Sequence, residues 1–156
     1  MLYGIAMRYS KSQAEAEDIL QDSFIKVFNS IGAYQSGGSF EGWLKRIVQN
    51  TAINSYRSQL KFNLYVDVSE QELLLSDESP EAIFESLEAK EIILLLNRMP
   101  EGYRLILNLY CIDGYSHKEI AQMMNISEGT SKSQLFKAKK YLKSLLETQS
   151  KQKIAG

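Results

Sequence analysis

The sequence predicts an all-α protein of two small helical domains joined by an acidic linker. Three observations predict it. Apolar residues recur at spacings of three and four over most of the chain, the period of a helix face. Capping and stop signals cut that pattern into short helices. The charge is also sectional: residues 1–62 carry seven Lys/Arg against five Asp/Glu, residues 63–88 none against eight, and residues 89–156 eleven against six. A net charge of −1 over 156 residues therefore hides two basic ends behind an acidic middle. For phosphate binding the local patch matters more than the total.

In chain order, a first helix spans Leu2 to Tyr9. A longer one follows from Gln13 to Ile31, with Leu20, Phe24, Val27, Phe28 and Ile31 as its core face. Its other face, Glu17, Asp18, Gln21, Asp22 and Ile25, is acidic with one exposed apolar residue, and suits either a basic protein partner or plain solvent. The loop Gly32 to Ser39 holds Tyr34 and the pair Gly37-Gly38, whose glycines allow backbone conformations closed to other residues. Ser39 caps a helix from Phe40 to about Leu60, with Phe40, Leu44, Ile47, Val48 and Thr51 toward the core. Beside that face Trp43, Arg46, Asn50, Asn54 and Arg57 fall within about 80° of one another. Unpaired bases can stack on Trp or Tyr, bond to Asn through their edges, and leave phosphates for Arg. A core Trp43 with ordinary surface neighbours gives the same pattern.

Residues 63–79 lose periodicity and gather carboxylates, as an extended linker does. Ser79-Pro80 opens a helix that Met99-Pro100 stops, and Glu101 to Ile112 forms the next, carrying Tyr103, Ile106, Leu107 and Tyr110. After the Asp113-Gly114 turn comes a helix-turn-helix. Ser116 caps its first helix, with Glu119 completing an S-x-x-E capping box, Asn125 ends it, and Ser127 caps a second helix running to about Glu147. The second domain, residues 80–148, thus counts four helices, and residues 149–156 read as a disordered polar tail. On the last helix Leu135, Ala138, Leu142, Leu145 and Leu146 form a core stripe with small Ser131 in the same sector. Opposite lie Lys132, Ser133, Phe136, Lys137, Lys140 and Lys143. In a major groove, phosphates attract such lysines, a serine can bond a base edge, and an apolar ring can touch a thymine methyl.

Several functions are excluded or left open. No run approaches the roughly 20 apolar residues needed to span a bilayer, and no basic-then-apolar signal opens the chain, so a cytoplasmic protein is expected. The single cysteine, Cys111, cannot form an internal disulfide, and with the single histidine, His117, no Cys/His metal cluster can form, so both are read as structural and no cofactor is expected. An enzyme such as a recombinase lacks a base, nucleophile and orienting group in a convincing setting. A dimeric regulator on duplex operators would fit the helix-turn-helix alone, but would not need the single-strand stripe.

Two stretches in order resemble one family. AEAEDILQDSFIKVFNSI followed by GSFEGWLKRIVQNTAINSYRS is similar to the second conserved region of bacterial extracytoplasmic-function (group four) sigma factors. LNRMPEGYRLILNLYCIDGYSHKEIAQMMNISEGTSKSQLFKAKKYLKSL is similar to the fourth region. The resemblance implies a non-catalytic subunit that binds core RNA polymerase, directs it to promoter DNA and is commonly held by an anti-sigma partner. It assigns residues 1–62 to the second region and 80–148 to the fourth. Asp18, Gln21, Asp22 and Phe24 would dock on polymerase. Tyr34, Ser39 and Phe40 would capture a flipped base of the minus-10 element, with Trp43, Arg46, Asn50, Asn54 and Arg57 along the opened strand. Lys132, Ser133, Gln134, Phe136, Lys137 and Lys140 would face the minus-35 duplex. Two positions depart from the family pattern: Ser131 stands where a buried Val is usual, and Gln134 where many members have Arg. Members also carry about one more helix before the position of Leu2. That first helix is expected to be missing here, exposing apolar surface at Leu20, Phe24 or Phe28.

Overall fold

The computed structural model describes residues 1–35, 37–60 and 80–156, among which eight α-helices and no strand occur. The expected linker at 63–79 and the expected cap Ser79 lie outside the described residues. The chain divides into two compact units, Met1–Tyr65 and Val66–Gly156.

The first unit packs α1 (Leu2–Tyr9), α2 (Gln13–Ser30) and α3 (Phe40–Leu60) against one another. Ser12 caps α2, its hydroxyl accepting from the Glu15 N–H at 3.2 Å, while the Glu15 carboxylate accepts from the Lys11 N–H at 2.6 Å. The α2 face turned to the core overlaps the expected one only at Val27, with Leu20 half-buried at its edge. Ala16, Ile19, Ser23 and Val27 are buried, whereas Phe24, Phe28 and Ile31 are 45%, 74% and 49% exposed. A string of large apolar residues marks the most hydrophobic stripe. What decided the phase here is that alanine and serine let α1 and α3 come close. Phe24 and Phe28 thus stand at the surface of the unit. On α3 the core residues are Val48, Gln49, Thr51, Ala52 and Ile53; Phe40, expected inside, is exposed, and Leu44 and Ile47 are half-buried. Lys26 Nζ donates to Thr51 Oγ1 at 3.1 Å and ties α2 to α3.

Among its described residues the second unit has five α-helices, where four were expected. The expected helix from Pro80 breaks into α4 (Pro80–Glu85) and α5 (Ala89–Asn97). At the break the Ser86 hydroxyl bonds the Ile83 carbonyl at 2.8 Å, and the Glu88 N–H donates to the Glu91 carboxylate at 2.9 Å, so stop and start signals follow one another. Next, α6 (Glu101–Leu107) widens into a π-turn, Asn108–Ile112, in which the Asp113 N–H reaches the Asn108 carbonyl at 2.8 Å. Gly114, at φ +75°, then makes the expected turn. The unit closes with α7 (His117–Met124) and α8 (Glu128–Ala155). α8 continues past Glu147 to Ala155, through most of the stretch read as a polar tail. A polar stretch with no helix breaker can extend a helix already nucleated by packing. Arg104 is buried among Leu105, Ile106 and Leu107, and its guanidinium donates to Asn97 Oδ1 at 3.2 Å.

Candidate nucleic-acid interfaces

In the first unit, three aromatic rings gather at the start of α3. Tyr34 and Phe40 meet edge to face at 5.4 Å, Tyr34 and Trp43 lie 5.0 Å apart, and Phe40 and Trp43 5.6 Å. Such pairs hold their geometry through the ring quadrupoles as well as through burial. The backbone leading into them is pinned twice. The Tyr34 hydroxyl donates to the Gly38 carbonyl at 2.7 Å, and Ser39 Oγ accepts from the Gly42 N–H at 3.2 Å. Gly37 and Gly38 do not serve as expected: Gly114 is the only glycine with positive φ among the described residues, and a Cβ on either would meet nothing within 4 Å.

Tyr34, Ser39, Phe40 and Trp43 are therefore brought together, and Arg46, Asn50, Asn54 and Arg57 continue the row along α3. Arg46, Asn50 and Asn54 are exposed, and Arg57 and Trp43 are half-buried. Phe40, expected as both core and site, belongs to the ring cluster alone. An exposed Glu41–Lys45 ion pair at 2.7 Å flanks it, and the Lys45 ammonium, by hydrogen bond and charge, holds the Glu41 carboxyl below its usual range. On α2, Glu17, Asp18, Gln21, Asp22, Phe24 and Ile25 all reach solvent, and Gln13 Nε2 donates to Glu17 at 2.9 Å. This face carries carboxylates and apolar side chains side by side.

In the second unit the expected caps of the helix-turn-helix are present. Ser116 accepts from the Glu119 N–H at 3.3 Å while the Glu119 carboxylate accepts from the Ser116 N–H at 2.8 Å. Asn125 makes the turn in the left-handed region, φ 55° and ψ 50°, a conformation asparagine tolerates. Ser127 then accepts from the Thr130 N–H at 3.0 Å. Leu135, Ala138 and Leu142 are buried and Leu145 and Leu146 half-buried, so the core stripe lies where its period put it. Lys132, Lys140 and Lys143 are exposed on the other side, whereas Ser133, Gln134, Phe136 and Lys137 are half-buried. Phe136 is thus partly covered rather than free among the lysines. Ser133 donates its proton to the Thr130 carbonyl at 3.0 Å, which leaves its oxygen as an acceptor.

One contact between the two helices of the motif escaped the sequence. Ser131 is fully buried, and its hydroxyl lies 2.9 Å from Nδ1 of His117. The imidazole stacks on Tyr110 of the π-turn, centroids 4.6 Å apart at 24°, and the Lys139 ammonium is 5.9 Å from the Tyr110 centroid. Burial first, then the charges of Lys132 and Lys139, push the His117 pKa down, with Glu128 opposing them. A serine in an apolar stripe was the one available signal, since a buried hydroxyl calls for a partner. Among the described residues no group of three or more His, Cys, Asp or Glu could hold a metal ion, and no helix is long and apolar enough to cross a membrane.

Residues 1–62 match the family model for sigma-70 region 2, and residues 89–142 that for sigma-70, region 4. An ECF RNA polymerase sigma factor, SigE, of Mycolicibacterium smegmatis is 31% identical over 147 residues, covering 93% of this chain and 57% of that protein. SigM of Bacillus subtilis is 29% identical over 153 residues, covering 92% and 87%. The ECF RNA polymerase sigma-E factor of Salmonella typhimurium LT2 is 31% identical over 144 residues, covering 86% and 75%. The chain thus spans just over half of the first of these and most of the other two. Among solved structures, the sigma factor RpoE in complex with the anti-sigma factor NepR from Bartonella quintana shares the fold at a TM-score of 0.59 and 21% identity, over 94% of this chain and 89% of that one. CnrH in complex with the cytosolic domain of CnrY does so at 0.54 and 20%, over 94% and 80%.

Proposed function

Because this chain belongs to the extracytoplasmic-function RNA polymerase sigma factors of the sigma-70 family, we propose that it binds core RNA polymerase and directs initiation at specific promoters. The observation that carries the reading is the order of the two regions in one chain, each presenting a surface of the matching chemistry. It acts in the cytoplasm, by binding alone and with no catalytic step of its own. Residues 1–62 serve as the polymerase-binding and strand-opening domain, 63–79 as connector, and 80–148 as the duplex reader. Two weak DNA contacts on one tethered chain reinforce each other, since the second binds at the effective concentration set by the first.

In this mechanism the exposed face of α2, through Asp18, Gln21, Asp22 and Phe24, docks on polymerase. Unstacking a base of the minus-10 element costs a few kcal/mol, which a fitted pocket must return. The ring cluster of Tyr34, Phe40 and Trp43, behind the capped turn at Ser39, offers that pocket its aromatic wall. Asn50 and Asn54 have amide edges for unpaired bases, and Arg46 and Arg57 neutralise the strand's phosphates. On the minus-35 duplex, Lys132, Lys137 and Lys140 meet phosphates while Ser133, Gln134 and Phe136 meet base edges. An anti-sigma protein is the partner that would hold the chain inactive, and the structural neighbours RpoE and CnrH, each complexed with another chain, support that expectation.

Reconstitution tests the proposal. Core polymerase mixed with this chain should initiate transcription at discrete start sites on genomic DNA, where core alone does not. A chain that fails to co-purify with core polymerase would sink it.

A further inference from the structure

We propose that His117 is a positioning residue for duplex recognition: its ring, laid on Tyr110 and bonded through Nδ1 to the Ser131 hydroxyl, fixes the rotation of α8 against α7. The proposal rests on the reading of α8 as the duplex-facing helix. The geometry makes the link specific. His117 is the first residue of α7, and Ser131 lies one turn into α8, beside Lys132 and Ser133. A rotation of α8 that redirected Lys132, Ser133 and Phe136 would have to pull Ser131 off the imidazole and leave its hydroxyl buried. The π-turn matters here, because Tyr110 stands on it and supplies the platform that holds the ring.

The same contact makes positioning dependent on protonation. The neutral imidazole can accept the Ser131 proton at Nδ1; in the imidazolium Nδ1 carries hydrogen and can only donate to the Ser131 oxygen, which leaves the buried hydroxyl proton without that acceptor. The groups around the ring disfavour the charged form: Lys132 and Lys139 act on it from α8, Glu128 opposes them, and the π-turn lays the Tyr110 ring against it. The start of α7 adds the positive end of a helix dipole. Within α7 its chain neighbours are Lys118 and Glu119.

The test uses the holoenzyme, full-length chain plus core polymerase, on a promoter recovered by the reconstitution above. The readout is the ratio of affinities for the intact promoter and for one with a scrambled minus-35 element, with thermal stability measured alongside. Ser131→Ala and His117→Phe, which keeps the stack but removes Nδ1, should each lower the ratio by about fivefold or more, and the double variant no further. The chain's only histidine gives a single imidazole resonance, and the wild-type ratio should fall as pH is lowered through its titration while that of His117→Phe stays flat. Lower melting temperatures with an unmoved ratio, or losses that multiply in the double variant, would overturn the proposal. A wild-type holoenzyme indifferent to the minus-35 element would sink the reading of α8 and this proposal together. Wild-type preference with unmoved variants sinks this proposal alone.

Discussion

Asn50→Ala separates a DNA contact from a folding contact. Asn50 lies on the exposed side of α3, and its side chain has no partner among the described residues. Its removal should therefore leave the fold intact. Alanine also suits a helix interior better than asparagine, by up to about 0.7 kcal/mol, so the melting temperature should stay level or rise slightly. The loss should come in promoter opening instead. An amide that bonds the edge of a captured base is worth roughly 1–3 kcal/mol, which translates into about 5- to 150-fold fewer open complexes at equilibrium. Permanganate reactivity of minus-10 thymines, measured on holoenzyme at fixed salt, reads this directly, and binding to core polymerase serves as the control. Unchanged reactivity would refute the assignment of this stripe, and a lowered melting temperature would refute the claim that Asn50 is structurally idle.

Three further outcomes are expected. Lys137→Ala should weaken promoter binding with little change in base preference, and should flatten the dependence of log affinity on log salt by about 0.9, as a lost phosphate contact does in duplex titrations. Ser116→Ala removes one half of the capping box on α7 and should cost about 1 kcal/mol, lowering the melting transition of the second unit by about 4–8 °C in calorimetry. Because the His117 pKa is depressed in the folded state, the unfolded chain takes up the proton first as pH falls. The stability from its neutral form is thus complete above about 6.5 and is lost as pH drops from there through the lower folded value; denaturant titrations of wild type and His117→Phe should diverge in that window.

Where structure is decided by residues a few positions apart, the sequence was a good guide. The start of α3 at Ser39, the box of Ser116 and Glu119, the helix stop at Asn125 and the cap at Ser127 each rest on hydrogen bonds spanning three or four residues, and each was legible. The α8 stripe was legible for a related reason. Its large side chains are all leucine, with small alanine and serine between them, so hydrophobicity and burial share a phase. The same reasoning misplaced α2, whose largest apolar residues, Phe24 and Phe28, reach solvent while Ala16 and Ser23 face inward. Hydrophobic content ranks faces, but close helix packing selects small ones. The break at Ser86–Glu88 was missed because glutamates carried the start signal where Ser, Thr, Asp or Asn was sought.

By itself, then, the sequence determined the all-α class, the helix caps, the charge partition between an acidic middle and two basic ends, and the two ordered motifs that identify the family. All of these are local or additive properties. Tertiary structure alone decided which face of α2 is buried, that Tyr34, Phe40 and Trp43 form one cluster, that the π-turn carries Tyr110 beneath the imidazole, and that His117 finds Ser131 fourteen residues away. Those choices depend on how close one helix can come to another, a distance that no single helix contains.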